Sequence, residues 1–135
     1  MTDIFMIEDN PMDIELMTMA LQESGLVFTL HVAGDGERGV ELLENAGREL
    51  PVPGLILLDL NIPRISGLEV LAIARSNSAL REMPIIIFSG SLNPRDVEAA
   101  IKGGATAFFP KPLNVDGFFA TAQKLVGMLR PAGHP

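Results

Sequence analysis

Five short apolar runs, separated by longer segments with helical periodicity, constrain the fold of this chain more than any other feature. The runs span residues 4–7, 28–32, 55–58, 85–88 and 107–109. Such alternation is typical of an α/β domain with a parallel sheet. The first, third and fourth runs are apolar on both faces, as in central strands, whereas the second alternates and suits an edge. The pattern predicts a doubly wound, five-stranded parallel sheet with strand order 2-1-3-4-5.

Five helices are predicted between and after these runs, because a capping or turn residue precedes each helical segment. The residues that open the helices are Asn10, Asp35, Ser66, Asn93 and Asn114. The second helix is predicted over residues 37–49 and the fifth over 115–130. The apolar stripe predicted for the fifth helix is formed by Phe119, Ala122, Val126 and Leu129. We expect one domain over residues 1–130, a short tail over 131–135 and no output domain.

Charge and composition exclude several classes of function. The chain has 10 Lys+Arg against 17 Asp+Glu, and this net charge of -7 lacks the basic surface that direct nucleic-acid binding requires. The absence of cysteine excludes disulfides and thiolate chemistry. No apolar stretch approaches the roughly 20 residues that a membrane-spanning helix needs. We therefore expect a soluble cytoplasmic protein that binds neither nucleic acid nor membrane.

Polar side chains follow four of the five predicted strands. Glu8 and Asp9 follow the first strand, Asp59 the third and Ser89 the fourth, while Lys111 stands just past the fifth. Each alone could cap a turn or lie in solvent. The carboxyl ends of parallel strands meet at one edge of the sheet, however, and the four strands are consecutive in the predicted order. The five side chains are therefore predicted to share one crevice.

The predicted crevice favours phosphoryl transfer at a magnesium site. Three carboxylates held close together repel one another, so a proton or a cation must be present. Mg²⁺ prefers hard oxygen ligands and is usually held by one or two carboxylates plus phosphate oxygens. Asp59 could then attack phosphorus and form an acyl phosphate. Lys111 supplies positive charge and Ser89 a hydroxyl donor for the transferring oxygens.

Four motifs resemble those of bacterial response regulator receiver domains. They are Ile7-Glu8-Asp9-Asn10-Pro11, Leu57-Leu58-Asp59-Leu60-Asn61-Ile62-Pro63, Phe88-Ser89-Gly90 and Phe109-Pro110-Lys111-Pro112. The resemblance covers roughly residues 3–130, and it is specific because all four motifs occur in order. It implies a flavodoxin-like fold and a phosphohistidine donor on a sensor histidine kinase.

The resemblance also implies roles for single residues. Asp59 would be phosphorylated, and Asp9 and Asp59 would ligate Mg²⁺ together with the backbone carbonyl of Asn61. Glu8 would hold a metal-bound water. Ser89 and Lys111 would bind the phosphoryl oxygens.

A conformational switch is a further implication of the family. Phe108 occupies the position of the family's switching aromatic, although it lacks a hydroxyl. We hypothesise that the phosphoryl group draws Ser89 toward it and that Phe108 turns inward into the vacated space. The face of helix four, strand five and helix five would then change shape. The family also implies a cis peptide bond between Lys111 and Pro112.

The chain resembles, more narrowly, the small stand-alone regulators of bacterial phytochromes and related light-sensing kinases. This likeness is carried by its Glu-Asp-Asn-Pro start, its Asp-Leu-Asn-Ile-Pro run and the long connection over residues 46–54. Ser66 before Gly67 departs from the family, where an acidic residue is more usual. The downstream protein target is unknown from sequence, and a homodimer through the fifth helix is expected by analogy alone.

The first helix carries a second apolar stripe, formed by Met12, Leu16 and Met19, opposite its core stripe. Flexible methionines suit a surface on which a partner protein docks, and a kinase helix packed there would lie beside Asp59. The alternative is that this second stripe is the buried one.

Three other classes remain open at this stage. A haloacid-dehalogenase-type phosphohydrolase also uses an aspartate nucleophile after an apolar strand, but it expects a second aspartate where this chain has Asn61. A flavodoxin-like flavin carrier would need a phosphate-cradling loop after the first strand. A pseudo-receiver that acts only as an adaptor would not need the complete acidic set.

Overall fold

A computed structural model describes residues 2–91 and 93–129 of the chain. The five parallel strands are β1 (Thr2–Ile7), β2 (Phe28–Ala33), β3 (Leu55–Leu58), β4 (Ile85–Ser89) and β5 (Ala107–Pro110). The five α-helices are α1 (Pro11–Glu23), α2 (Gly36–Glu44), α3 (Gly67–Ser76), α4 (Pro94–Lys102) and α5 (Val115–Met128). The sheet order is β2-β1-β3-β4-β5, which confirms the predicted topology and fold class. The predicted tail over 131–135, and Arg130 as the predicted end of the fifth helix, lie outside the described residues.

The predicted opening residues cap their helices. All five are N-caps whose side-chain oxygens accept backbone N–H groups of the first turn, namely Asn10, Asp35, Ser66, Asn93 and Asn114. These bonds satisfy donors that have no partner within the helix. In α1 and α4 a proline follows the cap, at a position where no N–H is needed. The capping residues therefore determine where each helix begins.

Helices cover both faces of the sheet. Alternate residues of the central strands enter two separate cores, as the two-residue period of a strand requires. Phe5 and Ile7 pack with α2, α3 and α4 on one face, whereas Ile4 and Met6 pack with α1 and α5 on the other. All residues of β3 and β4 are buried. This two-sided burial is why the sequence of these strands is apolar throughout.

The second helix is shorter than its sequence pattern predicts. It ends at Glu44 rather than at residue 49, with Asn45 as its C-cap. Gly47 adopts a positive φ of 78°, and its N–H donates to the carbonyl of Leu50 at 2.7 Å. This local turn replaces the next helical hydrogen bonds, so the connection to β3 is longer than predicted.

The buried face of α5 also differs from the predicted stripe. Phe118, Ala122 and Leu125 are fully buried. Of the predicted stripe, only Ala122 is among them, while Phe119, Val126 and Leu129 are partly buried at its side. The reason is that α5 packs against both the sheet and α1, which makes its apolar surface wider than one stripe.

A glycine allows α3 to begin close to the backbone that follows β3. A Cβ atom built on Gly67 would lie 2.5 Å from the carbonyl oxygen of Asp59 and 2.5 Å from the Cα of Leu60. The Gly67 N–H donates to the Leu60 carbonyl at 3.2 Å. Because Gly67 has no side chain, its backbone can approach and hydrogen-bond the segment that carries Asp59.

No helix in the described parts of the chain combines the length and apolar composition that crossing a membrane would require.

We expect Gly67→Ala to lower the free energy of unfolding by about 2 kcal/mol, because the new methyl group would overlap backbone that cannot rotate away. Gly127→Ala is the matched control in α5, where an added Cβ meets nothing within 4 Å. That change should leave stability unaltered or raise it by up to about 1 kcal/mol through better helix propensity. Urea unfolding of both variants tests the pair, and equal effects would contradict the close-approach argument.

Candidate functional site

Backbone hydrogen bonds align the ends of the strands that carry the predicted site. The Asp59 N–H donates to the carbonyl of Ile7 at 3.1 Å, and the Lys111 N–H donates to the carbonyl of Ser89 at 2.9 Å. Asp59 is thereby fixed beside the end of β1, and Lys111 beside the end of β4. Residues far apart in the chain meet because these parallel strands end at the same edge of the sheet.

Three carboxylates gather at this edge. Glu8, Asp9 and Asp59 each offer an oxygen atom within 4.8 Å of the others. Glu8 and Asp59 are buried, with 1% and 4% of their surface exposed, whereas Asp9 is exposed to solvent. The structure therefore brings together the acidic residues that the sequence predicted for a metal site.

The Lys111 ammonium group lies among these acids. Its Nζ is 2.9 Å from Oδ2 of Asp59, 2.9 Å from Oε1 of Glu8 and 3.1 Å from Oε2 of Glu8. A further ion pair, at 2.7 Å, joins Nζ to Oδ2 of Asp13. Because an ammonium group has three protons, three carboxylates can each accept one of them.

The charges in the crevice do not balance when all the acids are ionised. Burial raises the pKa of Glu8 from 4.5 to about 7; hydrogen bonds with Lys111 oppose that rise and the charge of Asp59 adds to it. Burial also acts to lower the pKa of Lys111, but hydrogen bonds with Asp13, Asp59 and Glu8 raise it above its ordinary value. The crevice thus holds one ammonium and four carboxylates, three of them in contact with that ammonium and the fourth on the exposed Asp9. The excess of negative charge favours binding of a further cation.

The donor set fits a hard divalent cation. All three clustered groups are carboxylates, and the exposed Asp9 leaves one side of the cluster open to water. Mg²⁺ binds through one or two carboxylates and keeps several of its waters, so both features suit it. Glu8, Asp9 and Asp59 are the residues that could hold such an ion.

Ser89 and Asn61 also lie at this edge. Ser89 is fully buried at the end of β4, and its Oγ accepts the N–H of Ser91 at 3.3 Å. The Asn61 N–H donates to Oδ1 of Asp59 at 3.1 Å, which orients the carboxylate. The roles predicted for the Ser89 hydroxyl and for the Asn61 carbonyl stay predictions.

Phe108, the predicted switching aromatic, is partly buried. It lies in β5 and packs against the core on the α2, α3 and α4 face. The movement of Phe108 on phosphorylation stays a prediction.

The cis geometry that the family implied for Lys111–Pro112 is wrong for this structure, in which that bond is trans. The ammonium reaches the crevice without it, and trans is the ordinary state of most bonds that precede proline.

The second stripe of α1 is only partly exposed. Met12 and Met19 expose 59% and 45% of their surface, whereas Leu16 is partly buried against the core shared with α5. The prediction that all three residues face away from the core is therefore wrong for Leu16. The reason is that α1 packs against α5 as well as against the sheet.

Sequence reasoning missed Asp13. It stands four, seven and eight residues before the buried Met17, Ala20 and Leu21, so it continues the core-facing stripe of α1 toward the site. A carboxylate on the buried face of a helix is unusual unless it is paired. The place of Asp13 on the buried stripe was therefore a signal in the sequence that it has a charged partner, and the structure shows that this partner is Lys111.

Comparisons with known proteins agree with this geometry. A family model described as "Response regulator receiver domain" matches residues 4–123. Response regulator Rcp1 of Synechocystis sp. is 32% identical over 122 residues, which cover 89% of this chain and 83% of Rcp1.

Solved structures give the same result. A structure of Mn²⁺-bound Rcp1 has a TM-score of 0.86 at 30% identity and covers 100% of this chain and 99% of that one. The phosphorylated cyanobacterial phytochrome response regulator RcpA has a TM-score of 0.88 at 28% identity, covering 98% and 99%. The bacteriophytochrome response regulator AtBRR has a TM-score of 0.76 at 29% identity, covering 100% and 99%.

The raised pKa of Glu8 predicts a pH dependence of stability in the metal-free protein. Between pH 4.5 and about 7, folded Glu8 keeps a proton that the unfolded chain releases, so the free energy of unfolding should fall as pH rises through this window. Glu8→Gln cannot ionise and should lack this component. Urea unfolding in the presence of a chelator, compared between the two proteins across the window, tests it. Parallel pH profiles would show that Glu8 titrates at its ordinary pKa.

Proposed function

The chain belongs to the response regulator receiver domain family, and from this premise we propose that it is a phosphoacceptor signalling protein whose acceptor is Asp59. The observation that carries the proposal is the contact of Asp59 with Lys111, at 2.9 Å, inside a cluster of carboxylates. Asp59 is buried, contacts the Lys111 ammonium and belongs to a cluster of carboxylates that could bind a cation. Positive charge on both sides of an acceptor carboxylate favours phosphoryl transfer. We propose signalling rather than turnover of a substrate as its role.

The proposed reaction forms an acyl phosphate. One carboxylate oxygen of Asp59 makes a bond to phosphorus, and the bond from phosphorus to the donor atom breaks. The electron pair of the broken bond leaves with the donor, which in phosphohistidine is an imidazole nitrogen. The attacking group is the carboxylate of Asp59, whose Oδ2 lies 2.9 Å from the Lys111 ammonium.

Asp9 and Asp59 would ligate Mg²⁺ together with the Asn61 carbonyl, and Glu8 would hold a metal-bound water. When bound, the ion would supply charge that offsets repulsion between the acids and the transferring phosphoryl group. The support is the hard-oxygen donor set. Mn²⁺ in the similar protein Rcp1 agrees with a divalent ion at a site of this family.

Ser89 and Lys111 would bind oxygens of the phosphoryl group. Ser89 is the last residue of β4 and Lys111 follows β5, and a backbone hydrogen bond joins the two residues. Movement of Ser89 toward the phosphoryl group would let Phe108 turn inward and change the face of α4, β5 and α5. Because Phe108 has no hydroxyl, the preference for either state would rest on packing.

The proposed donor is a sensor histidine kinase, and similarity to RcpA and AtBRR suggests a kinase of the phytochrome type. The proposed output is binding of a downstream protein by the changed face. We also propose that the protein acts in the cytoplasm, where such kinases present their phosphohistidine. A homodimer through α5 stays a prediction by analogy.

The proposal predicts that the protein gains one phosphoryl group when it is mixed with Mg²⁺ and acetyl phosphate. Intact mass spectrometry should show this gain in wild type and not in Asp59→Asn. Asp116→Asn, which removes an exposed acid in the first turn of α5, is the matched control and should be phosphorylated normally. A wild-type protein that gains no phosphoryl group would instead indicate an adaptor.

The exposed methionines of α1 are proposed as the kinase-docking surface. Met12 and Met19 are apolar, flexible and exposed on the helix whose first turn contacts Lys111 through Asp13. Leu16 lies between them and is partly buried, so it would serve the surface mainly by supporting α1.

We expect Met19→Glu to slow phosphotransfer from a phosphorylated histidine kinase about tenfold, the effect of losing roughly 1.4 kcal/mol of binding. Phosphorylation by acetyl phosphate should not change, and neither should the free energy of unfolding. Leu16→Glu should instead lower stability by about 2 kcal/mol, because it places a charge at a partly buried position. Ile101→Glu, at an exposed position of α4, controls for the added charge. Loss of stability in Met19→Glu would refute the docking surface.

A further inference from the structure

Asp13 is an acid on the core-facing side of a helix. It is the third residue of α1, and only 15% of its side chain is exposed. Its carboxylate Oδ2 lies 2.7 Å from Nζ of Lys111, the shortest of the distances between that ammonium and an acid. Asp13 is not among the acids that cluster closely enough to hold a metal ion. Its position therefore points to Lys111 and not to the metal.

The cap of α1 aims Asp13 at the crevice. Oδ1 of Asn10 accepts the backbone N–H of Met12 at 2.9 Å and that of Asp13 at 3.3 Å. The N–H of Asn10 in turn donates to Oε2 of Glu8 at 3.2 Å. Because side chains of an α-helix tilt toward its N-terminus, the Asp13 carboxylate extends back toward the strand ends. One short segment thus positions two of the acids that contact Lys111.

The three acceptors of Lys111 have different fates on phosphorylation. The carboxylate of Asp59 becomes an acyl phosphate, so its contact with the ammonium is replaced by one with the phosphoryl group. Asp13 does not react, so its carboxylate can go on accepting an N–H of the Lys111 ammonium throughout. A lysine side chain is flexible over four carbon atoms, so an ammonium without such an anchor would sample several positions.

We propose that Asp13 is a positioning residue, which anchors the Lys111 ammonium to α1 so that one N–H stays directed at Asp59 and at the phosphoryl group it receives. This inference rests on the proposed function of Asp59. Asp13 acts through Lys111 and does not touch the reacting atoms.

The test measures the rate of Asp59 phosphorylation by acetyl phosphate at saturating Mg²⁺. Asp13→Ala should slow it on the order of tenfold, less than the 10²–10³ that follows loss of a direct donor. Asp13→Asn keeps an oxygen that can accept from the ammonium and should lose about threefold. Glu15→Gln, an exposed position two residues along the same helix, carries the same change of charge as Asp13→Asn and should react normally.

A double-mutant cycle separates positioning from a general effect of charge or folding. In a Lys111→Met background, Asp13→Ala should change the residual rate by less than about twofold, because the group that it anchors is gone. An equal loss in both backgrounds would overturn the inference. Full recovery of Asp13→Ala at saturating Mg²⁺ would also overturn it, since the defect would then lie in metal binding.

A second measurement does not depend on phosphorylation. In ¹⁵N-labelled protein, the Nζ–H signal of Lys111 should be visible in wild type and in Glu15→Gln, because its acceptors protect the ammonium protons from exchange. It should be lost or broadened in Asp13→Ala. An unchanged signal would refute the anchor even if Asp59 is phosphorylated, whereas failure of wild type to gain a phosphoryl group would refute the proposed function alone.

Discussion

The contact of one ammonium group with carboxylates from separate parts of the chain is the interaction on which this site depends. Lys111 faces Glu8, Asp13 and Asp59, and each contact lies largely out of water. Removing one member of such a group leaves uncompensated charge, which typically costs about 3–5 kcal/mol at buried positions. Even so, the acids outnumber the cation, and burial together with the charge of Asp59 raises the pKa of Glu8. That imbalance is what makes the crevice suited to a divalent ion.

The parallel sheet makes this concentration of charge attainable. β1, β3, β4 and β5 are consecutive and run in one direction, so their carboxyl ends lie along one edge. Glu8 and Lys111 are 103 residues apart and still meet through a hydrogen bond. The two apolar cores, on opposite faces of the sheet, hold the strands rigidly enough to offset the repulsion between acids. Stability of the cores and chemistry of the edge are therefore coupled.

Packing between helices accounts for two of the predictions from sequence that failed. The exposure of Leu16 and the buried face of α5 were misjudged because α1 and α5 pack against each other, which widens the apolar surface of both. Asp13 was overlooked because its partner is distant in sequence, although its place on the buried stripe was visible. The end of α2 was misjudged because Gly47 and Leu50 form a turn that the helical pattern does not reveal.

The sequence by itself determined the strands, the helix starts, the order of the sheet and the identity of the clustered acids. Those features follow from apolar periodicity and capping residues, which act between neighbours in the chain. Only the tertiary structure decided that Lys111 has three acidic partners, that Asp13 is one of them, and which apolar side chains of α1 stay exposed. Such contacts depend on distances of a few ångströms between elements that are far apart in sequence, and no local pattern encodes those distances.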